Sequence, residues 1–298
     1  MDFRKWWIGR TKGESPWPGY GEGKQKIALN IILFIITMAT TLLAGALQEG
    51  VNPLKNPGQI FKGMPFSFAL MGILMAHELG HYLIAKKHGL NVTLPYFIPA
   101  PSFIGTFGAF IKIRSPVRDR RMLLDVGAAG PLVGVVVSIP FLVSGLWLSE
   151  VKMVQGQVST NLGSSLFLSF LSWVIVGPVP EGYDIFLHPV GFAGWIGLLV
   201  TSLNLLPIGQ LDGGHVAYAL LGEKQNKISK FVFIAILGIG IFGWQGWLLW
   251  GLLLAIMGFR HPPLVDWWVP LDYKRKIIGW LAVAIFILTF VPVPFSGL

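Results

Sequence analysis

The feature that most constrains this chain is a series of long apolar segments, each close to the length that a helix needs to cross a bilayer. The first runs from Ile27 to Leu47, the second from about Met64 to Ala85 and the third from about Met122 to Leu148. About 20 consecutive apolar residues span the hydrocarbon layer as a helix. These segments therefore predict a helical membrane protein.

Composition supports this prediction and excludes other classes. Only 12% of the 298 residues are charged, whereas a soluble domain has about 25%. This chain therefore has too few charged residues to cover a water-exposed surface. The net charge of +9 would suggest nucleic acid as the partner of a soluble protein. Here we expect the basic residues to lie in loops that face anionic lipid, with no nucleic-acid partner. Because the chain has no Cys, a metal site has to use His, Asp or Glu.

The second half of the chain has shorter apolar runs. Ser164 to Val176 is too short for an ordinary span and is expected to be re-entrant or interfacial. The other runs are Val190 to Leu206, Phe231 to Phe242, Trp247 to Phe259 and Ile277 to Val291. The two runs between 231 and 259 are interpreted as a tight helical hairpin, with one broken helix as the alternative. This gives six or seven spans.

We therefore predict an all-α polytopic membrane protein with six to seven transmembrane helices and a small membrane-associated β-like hairpin. Residues 1–26 are expected to form a basic cytoplasmic segment. Residues 27–298 would form a single transmembrane domain whose core is 64–214. Seven spans with a cytoplasmic N-terminus place every strongly basic loop on one side. The plasma membrane is the expected location.

Chemistry is concentrated in the second segment, where His77, Glu78 and His81 form the pattern HExxH. Residues four apart lie on one face of a helix, so the two imidazoles can bind one Zn²⁺. Glu78 points about 100° away and can take a proton from a water on the metal. A carboxylate within a span is costly and usually functional. The alternative is that the histidines only form hydrogen bonds between helices.

A catalytic zinc site usually has three protein ligands, and Asp212 is the better candidate for the third. The predicted span Val190 to Leu206 ends at Pro207. Gly213 and Gly214 then allow the backbone to bend and bring the Asp212 carboxylate towards a partner helix. The alternative role for Asp212 is a helix N-cap. Asp125, the other acidic candidate, is expected to pair with Arg120 or Arg121 or to make a polar helix contact.

A strand-like pattern lies between Val92 and Arg114. From Thr106 onward apolar and other residues alternate, which is a strand period. A protease needs an extended substrate, and an open strand edge beside the metal would bind one by strand addition. Gly105 and Gly108 would then let the substrate backbone approach. The alternative is an ordinary hairpin on the membrane surface.

HELGH in one span, followed by NLLPIGQLDGG after a later span, resembles the site-2 protease family of intramembrane zinc metalloproteases. The segments GTFGAFIKIRSP and LLDVGAAGP also resemble that family, particularly its bacterial and plastid members. The resemblance implies one zinc ion held by His77, His81 and Asp212, with Glu78 as general base. It also implies that Asn204 helps to hold substrate or the developing oxyanion, although a hydrogen bond between helices explains Asn204 equally well.

The expected function is cleavage of transmembrane segments of membrane-protein substrates by zinc-activated water, close to the cytoplasmic face. Its expected partners are single-span membrane proteins and the lipid bilayer, and the oligomeric state stays open. A non-proteolytic zinc-binding scaffold and a transporter are the alternatives. His215 is expected to lie beside Asp212 as an outer partner, and no metal role is assigned to His261.

Overall fold

The computed structural model describes residues 27–53, 55–154 and 161–296. The basic segment expected at 1–26 lies outside these residues. The helices are α1 (Ile27–Gln48), α2 (Met64–Lys87), α3 (Arg120–Trp147), α4 (Leu166–Ile175), α5 (Pro189–Asn204), α6 (Asp212–Leu221), α7 (Gln225–Phe242), α8 (Gly246–Met257) and α9 (Tyr273–Thr289). The strands are β1 (Tyr96–Pro99), β2 (Thr106–Phe110), β3 (Glu150–Met153), β4 (Asn161–Leu162), β5 (Tyr183–Phe186) and β6 (Phe295–Ser296). The predicted mainly helical fold is confirmed, and the described residues form three two-stranded sheets where the sequence predicted one hairpin.

Four stretches of the described chain are long and apolar enough to cross a membrane. They are Ile27–Gln48, Pro57–Lys87, Arg120–Trp147 and Asp212–Phe242. The helices α5 and α8, with 16 and 12 residues, are shorter. Large apolar side chains on α1, such as Ile31 and Ile35, are more than half exposed, as expected for a lipid-facing helix. The total of six to seven spans stays a prediction.

The centre of the protein is formed by α2, α3 and α5. Small residues bring these helices together: a Cβ added to Gly145 of α3 would lie 2.0 Å from the Cα of Gly191 in α5. Helix α3 begins where the Asp119 carboxylate accepts a hydrogen bond from the backbone N–H of Met122, the usual N-cap arrangement. Helices α3 and α5 therefore pack with their backbones in close contact.

The strand pattern after α2 forms the predicted hairpin. Strands β1 and β2 pair antiparallel, with Tyr96 opposite Phe110 and Phe97 opposite Ala109. Helix α1 holds this hairpin, because the Asn30 side chain donates to the carbonyl of Pro95 and Gln48 donates to that of Phe103. The hairpin therefore runs along α1 instead of lying free at the surface.

The two apolar runs between 231 and 259 form two helices, α7 and α8, that pack on each other as a hairpin. Gly240 of α7 approaches Leu248, and Gly251 of α8 approaches Leu237. The interpretation as a helical hairpin is confirmed and the single broken helix is excluded. Between α3 and α5 lies the predicted short helix, α4, together with β3 to β5; β3 pairs with β5 and β4 pairs with the C-terminal β6.

Candidate active site

The histidines of HExxH lie one turn apart on α2 and are both buried. Their Nε2 atoms are 3.2 Å from each other. They face α3 and the start of α6. The sequence prediction that His77 and His81 share one face of a helix is therefore met in the structure.

Asp212 completes a compact group with these histidines. Its Oδ2 lies 3.3 Å from Nε2 of His77 and 3.2 Å from Nε2 of His81. The N-cap of α6 is Leu211 and not Asp212, so the N-cap alternative does not hold. The bend that brings Asp212 here depends on Gly213, since a Cβ at that position would lie 1.9 Å from the carbonyl oxygen of Leu205.

The geometry of these three ligand atoms fits a metal ion. Four ligands placed tetrahedrally at about 2.0 to 2.1 Å from a zinc ion lie about 3.3 to 3.4 Å from one another. The three distances in this group are 3.2, 3.2 and 3.3 Å. His77, His81 and Asp212 form the one group of three or more possible metal ligands found in the described residues.

Proton positions support the same conclusion. Nδ1 of His81 lies 2.7 Å from the carbonyl oxygen of Val126. A carbonyl only accepts, so Nδ1 carries the proton and Nε2 of a neutral ring keeps its lone pair. That lone pair faces a carboxylate oxygen and the Nε2 of His77. Electron-rich atoms this close need a proton or a cation between them, and a hydrogen bond donated by the ring nitrogen that does not bind the metal is typical of metal-bound histidine.

Three glycines of α3 make room for three histidines. An added Cβ at Gly130 would lie 2.0 Å from Nε2 of His81, and one at Gly134 would lie 2.8 Å from Nδ1 of His77. One at Gly127 would lie 2.8 Å from Cβ of His215. The sequence showed only that these small residues permit close helix packing. The structure shows that each of them faces a ring.

Glu78 is buried and borders a cavity of about 200 Å³ that the three ligands also line. The same cavity is lined by Ala109 and Phe110 of β2 and by the following Ile111. The carboxylate is therefore enclosed between the metal group and the hairpin, where it can exchange a proton with a water or peptide held there.

A smaller cavity of about 100 Å³ adjoins the first, since His77, Glu78 and Asn204 line both. Its walls are mainly apolar and include Trp250 of α8 and Gly108 of β2. Nδ2 of Asn204 lies 3.4 Å from Nε2 of His77. Asn204 thus borders the space beside the metal group and also contacts a neighbouring helix, so both of its expected roles stay open.

The two glycines predicted to bind substrate lie in different places. Gly108 has φ +99° and an added Cβ would meet nothing within 4 Å, so it leaves open space in the smaller cavity. Gly105 instead packs on α1, where an added Cβ would lie 2.5 Å from the carbonyl oxygen of Thr40. The structure therefore does not bring Gly105 to the site. Its role is to let the hairpin turn approach α1.

Two further polar residues have partners that the sequence did not indicate. Asp125 accepts two hydrogen bonds from Arg275, of 2.8 and 2.7 Å, and lies 2.9 Å from Nε2 of His88. The expected pairing with Arg120 or Arg121 is wrong, whereas the alternative of a polar helix contact is met, because the partner lies on α9, 150 residues away in sequence. His215 borders the larger cavity as expected, and its Nδ1 lies 2.9 Å from Nε2 of His261. No sequence signal marked His261.

Fold and site together define a helical membrane protein with a His–His–Asp metal centre and an adjacent carboxylate. The pattern of Peptidase family M50 matches residues 65–242, which is more than half of the chain. The chain belongs to peptidase family M50. This agrees with the resemblance to site-2 proteases.

Several curated plant proteins are similar. "Probable zinc metalloprotease EGY1, chloroplastic" of Arabidopsis thaliana is 31% identical over 77% of this chain and 43% of its own length. "Probable zinc metalloprotease EGY2, chloroplastic" of the same plant is 31% identical over 78% of this chain and 42% of its own length. "Probable zinc metalloprotease EGY3, chloroplastic" of Oryza sativa subsp. indica is 27% identical over 95% of this chain and 49% of its own length.

This chain spans less than half the length of these relatives. Their names place them in chloroplasts and give no support to the plasma membrane as the location of this protein. No solved structure matches the chain significantly.

Proposed function

We propose that this protein is a zinc metalloprotease that hydrolyses a peptide bond within, or at the edge of, a transmembrane segment of another membrane protein. The observation that carries the proposal is the buried group of His77, His81 and Asp212, with Glu78 beside it and a strand along the same cavity. Membership of peptidase family M50 and the names of the relatives support the same activity.

The ligand atoms of His77, His81 and Asp212 would hold the zinc ion. When bound, zinc lowers the pKa of the attacking water towards about 7 and polarises the scissile carbonyl. Glu78 accepts the proton of that water and then passes it to the departing amine. The side-chain amide of Asn204 donates a hydrogen bond to the oxygen on which negative charge develops.

The hairpin supplies the surface for an extended substrate. Among the described residues β2 pairs with no strand other than β1, so its second edge is open to a further strand, although the backbone N–H of Gly108 already donates to the Thr106 hydroxyl. Part of that strand lines both cavities beside Glu78. A peptide added to this edge is held extended, and its carbonyls become accessible to attack. The open space at Gly108 lets the two backbones approach.

The protein would be oriented with its basic loops and its metal centre towards the cytoplasm. Lys and Arg concentrate at 86–121, 224–230 and 260–276, and the positive-inside rule places such loops on the cytoplasmic side. His77 lies in the second half of α2, nearer these loops. Because the chain has no Cys, single cysteines introduced in these loops report the side directly through labelling with a membrane-impermeant reagent.

The experiment is cleavage of a single-span membrane substrate by the full chain, purified in detergent. Glu78→Gln should keep zinc and lose cleavage, because the amide cannot accept the proton. His77→Ala should lose both. Glu49→Gln, at an exposed position, is the matched control and should change neither. Unchanged cleavage by Glu78→Gln would contradict the mechanism.

The two alternative functions give different results in the same system. A non-proteolytic scaffold would bind zinc and substrate with no cleavage by the unaltered protein. A transporter would move zinc into liposomes, and a flux assay beside the cleavage assay detects that.

A further inference from the structure

His215 connects the larger cavity to a segment outside the part of the chain that matches the family. It lies on α6, three residues after Asp212, and borders the cavity. Its Nδ1 lies 2.9 Å from Nε2 of His261, which belongs to the connection between α8 and α9. This contact joins residues 46 apart in sequence.

The direction of the hydrogen bonds in this pair follows from one carbonyl. Nδ1 of His261 lies 2.6 Å from the carbonyl oxygen of Pro262. The carbonyl can only accept, so this Nδ1 carries the proton. A neutral imidazole has a single N–H, and burial lowers the pKa of His261, which keeps it neutral at neutral pH. Nε2 of His261 is therefore an acceptor, and Nδ1 of His215 is the donor to it.

His261 is held firmly in this position. The ring of Tyr218, one turn after His215 on α6, stacks on it with the centroids 4.4 Å apart. The connection itself is tied down, because the backbone N–H of Asp266 donates to the carbonyl of Arg118 over 2.8 Å. Arg121 also donates to the carbonyl of Pro270 over 2.9 Å. The ring that fixes His215 is thus not a mobile surface group.

With its proton on Nδ1, His215 has a lone pair on Nε2, and its ring borders the cavity. An extended peptide has N–H groups along both edges, and backbone donors without partners are costly in an apolar site. Strand β2 can pair with one edge of the peptide. Side chains of the cavity can supply acceptors for the other edge. The proposed metal and proton transfer use His77, His81, Asp212 and Glu78, and His215 is one of the polar residues that remain.

We propose that His261 is a positioning residue that fixes His215 in the tautomer whose Nε2 accepts a hydrogen bond from a backbone N–H of the bound peptide. This rests on the proposed function, because it assigns the contact to the substrate of that site. His215 would then be an additional substrate-binding residue of that site. Its orientation would be set by His261, which lies outside the matched residues 65–242.

The first test is a double-mutant cycle in the full chain. His215→Leu and His261→Leu should each raise KM about tenfold, the typical effect of one lost hydrogen bond made equally in ground and transition state. The double variant should be no worse than His215→Leu alone, because His261 acts only through His215. His261→Gln, whose amide oxygen can replace the acceptor, should restore KM to within about threefold. Zinc content should stay at the wild-type level in all of them.

Effects that multiply in the double variant, or single variants with unchanged KM, would overturn the proposal. Loss of zinc from the leucine variants would also overturn it, because the pair would then support the metal ligands instead of the peptide.

A second measurement does not depend on the folding of any His261 variant. Substrate peptides in which single amides near the scissile bond are replaced by esters lack one N–H each. At one position the ester should weaken binding to Glu78→Gln about tenfold and cause no further loss in a Glu78→Gln, His215→Leu protein. If no ester position behaves in this way, the proposal is wrong. Binding is measured without turnover, so failure of the proposed protease activity is seen separately, as absence of cleavage by the unaltered chain.

Discussion

Gly130→Ala tests whether the close fit between α3 and the metal ligands is needed to hold zinc. The added Cβ would lie 2.0 Å from Nε2 of His81 and 2.3 and 2.6 Å from its ring carbons. Non-bonded heavy atoms reach their best separation at about 3.5 to 4.0 Å. The His81 ring would therefore have to move by more than about 1 Å.

This displacement is large for a metal site, where ligand distances hold within about ±0.2 Å. The ring cannot move that far and keep both the 2.7 Å bond to Val126 and its place beside Asp212. We therefore expect one of three protein ligands to be lost. Changes to outer partners of a ligand already cost about 10- to 100-fold in metal affinity. Zinc affinity should fall by about 100-fold or more, or about 2.7 kcal/mol.

The assay is competition for zinc with a chelator of known affinity, on protein purified in detergent, with cleavage of a single-span substrate measured in parallel. Gly72→Ala is the matched control: it lies within the same helix as His81, and its added Cβ would meet nothing within 4 Å. It should bind zinc as the unaltered chain does. Gly130→Ala with normal zinc affinity and normal cleavage would refute this account of the site.

Other predictions follow from the cavities, the ion pairs and the metal. Asn204→Ala should keep zinc and lower kcat about 10²- to 10³-fold, as loss of an oxyanion donor does; zinc content and kcat check this. Gly108→Ala should raise KM for the peptide, because the methyl group enters the space the substrate backbone needs and because φ at Gly108 is +99°, which strains a residue with a Cβ; KM measured beside the melting temperature separates the two causes. Asp125→Asn should lower the free energy of unfolding by about 1 to 3 kcal/mol through the weakened contact with Arg275, whereas Lys152→Ala, in an exposed ion pair, should change it little. A chelator should abolish cleavage and added zinc should restore it.

Local sequence patterns predicted those parts of the site that depend on local geometry. His77 and His81 share a face because their spacing matches one helical turn. Asp212 could be expected at the site because Gly213 and Gly214 permit a bend after Pro207. The hairpin followed from the alternation after Thr106, since side chains on a strand alternate between its faces.

Contacts between distant segments were beyond the reach of such patterns. Alternation does not say which part of a hairpin meets α1, so Gly105 was assigned to substrate although it packs on Thr40. The arginine nearest in sequence is not the partner of Asp125, because ion pairing across helices depends on how α9 packs on α3. His261 had no motif of its own and became visible only through its contact with His215.

The open edge of β2 has a consequence for the proposed protease when no substrate is bound. Ala109 and Phe110 of this strand border the cavity beside Glu78, and a backbone group left without a partner away from water costs several kcal/mol. We therefore expect water to occupy this cavity before a substrate arrives. The water that the proposed hydrolysis consumes would then already lie beside Glu78, and a peptide that binds to the edge would displace only part of it.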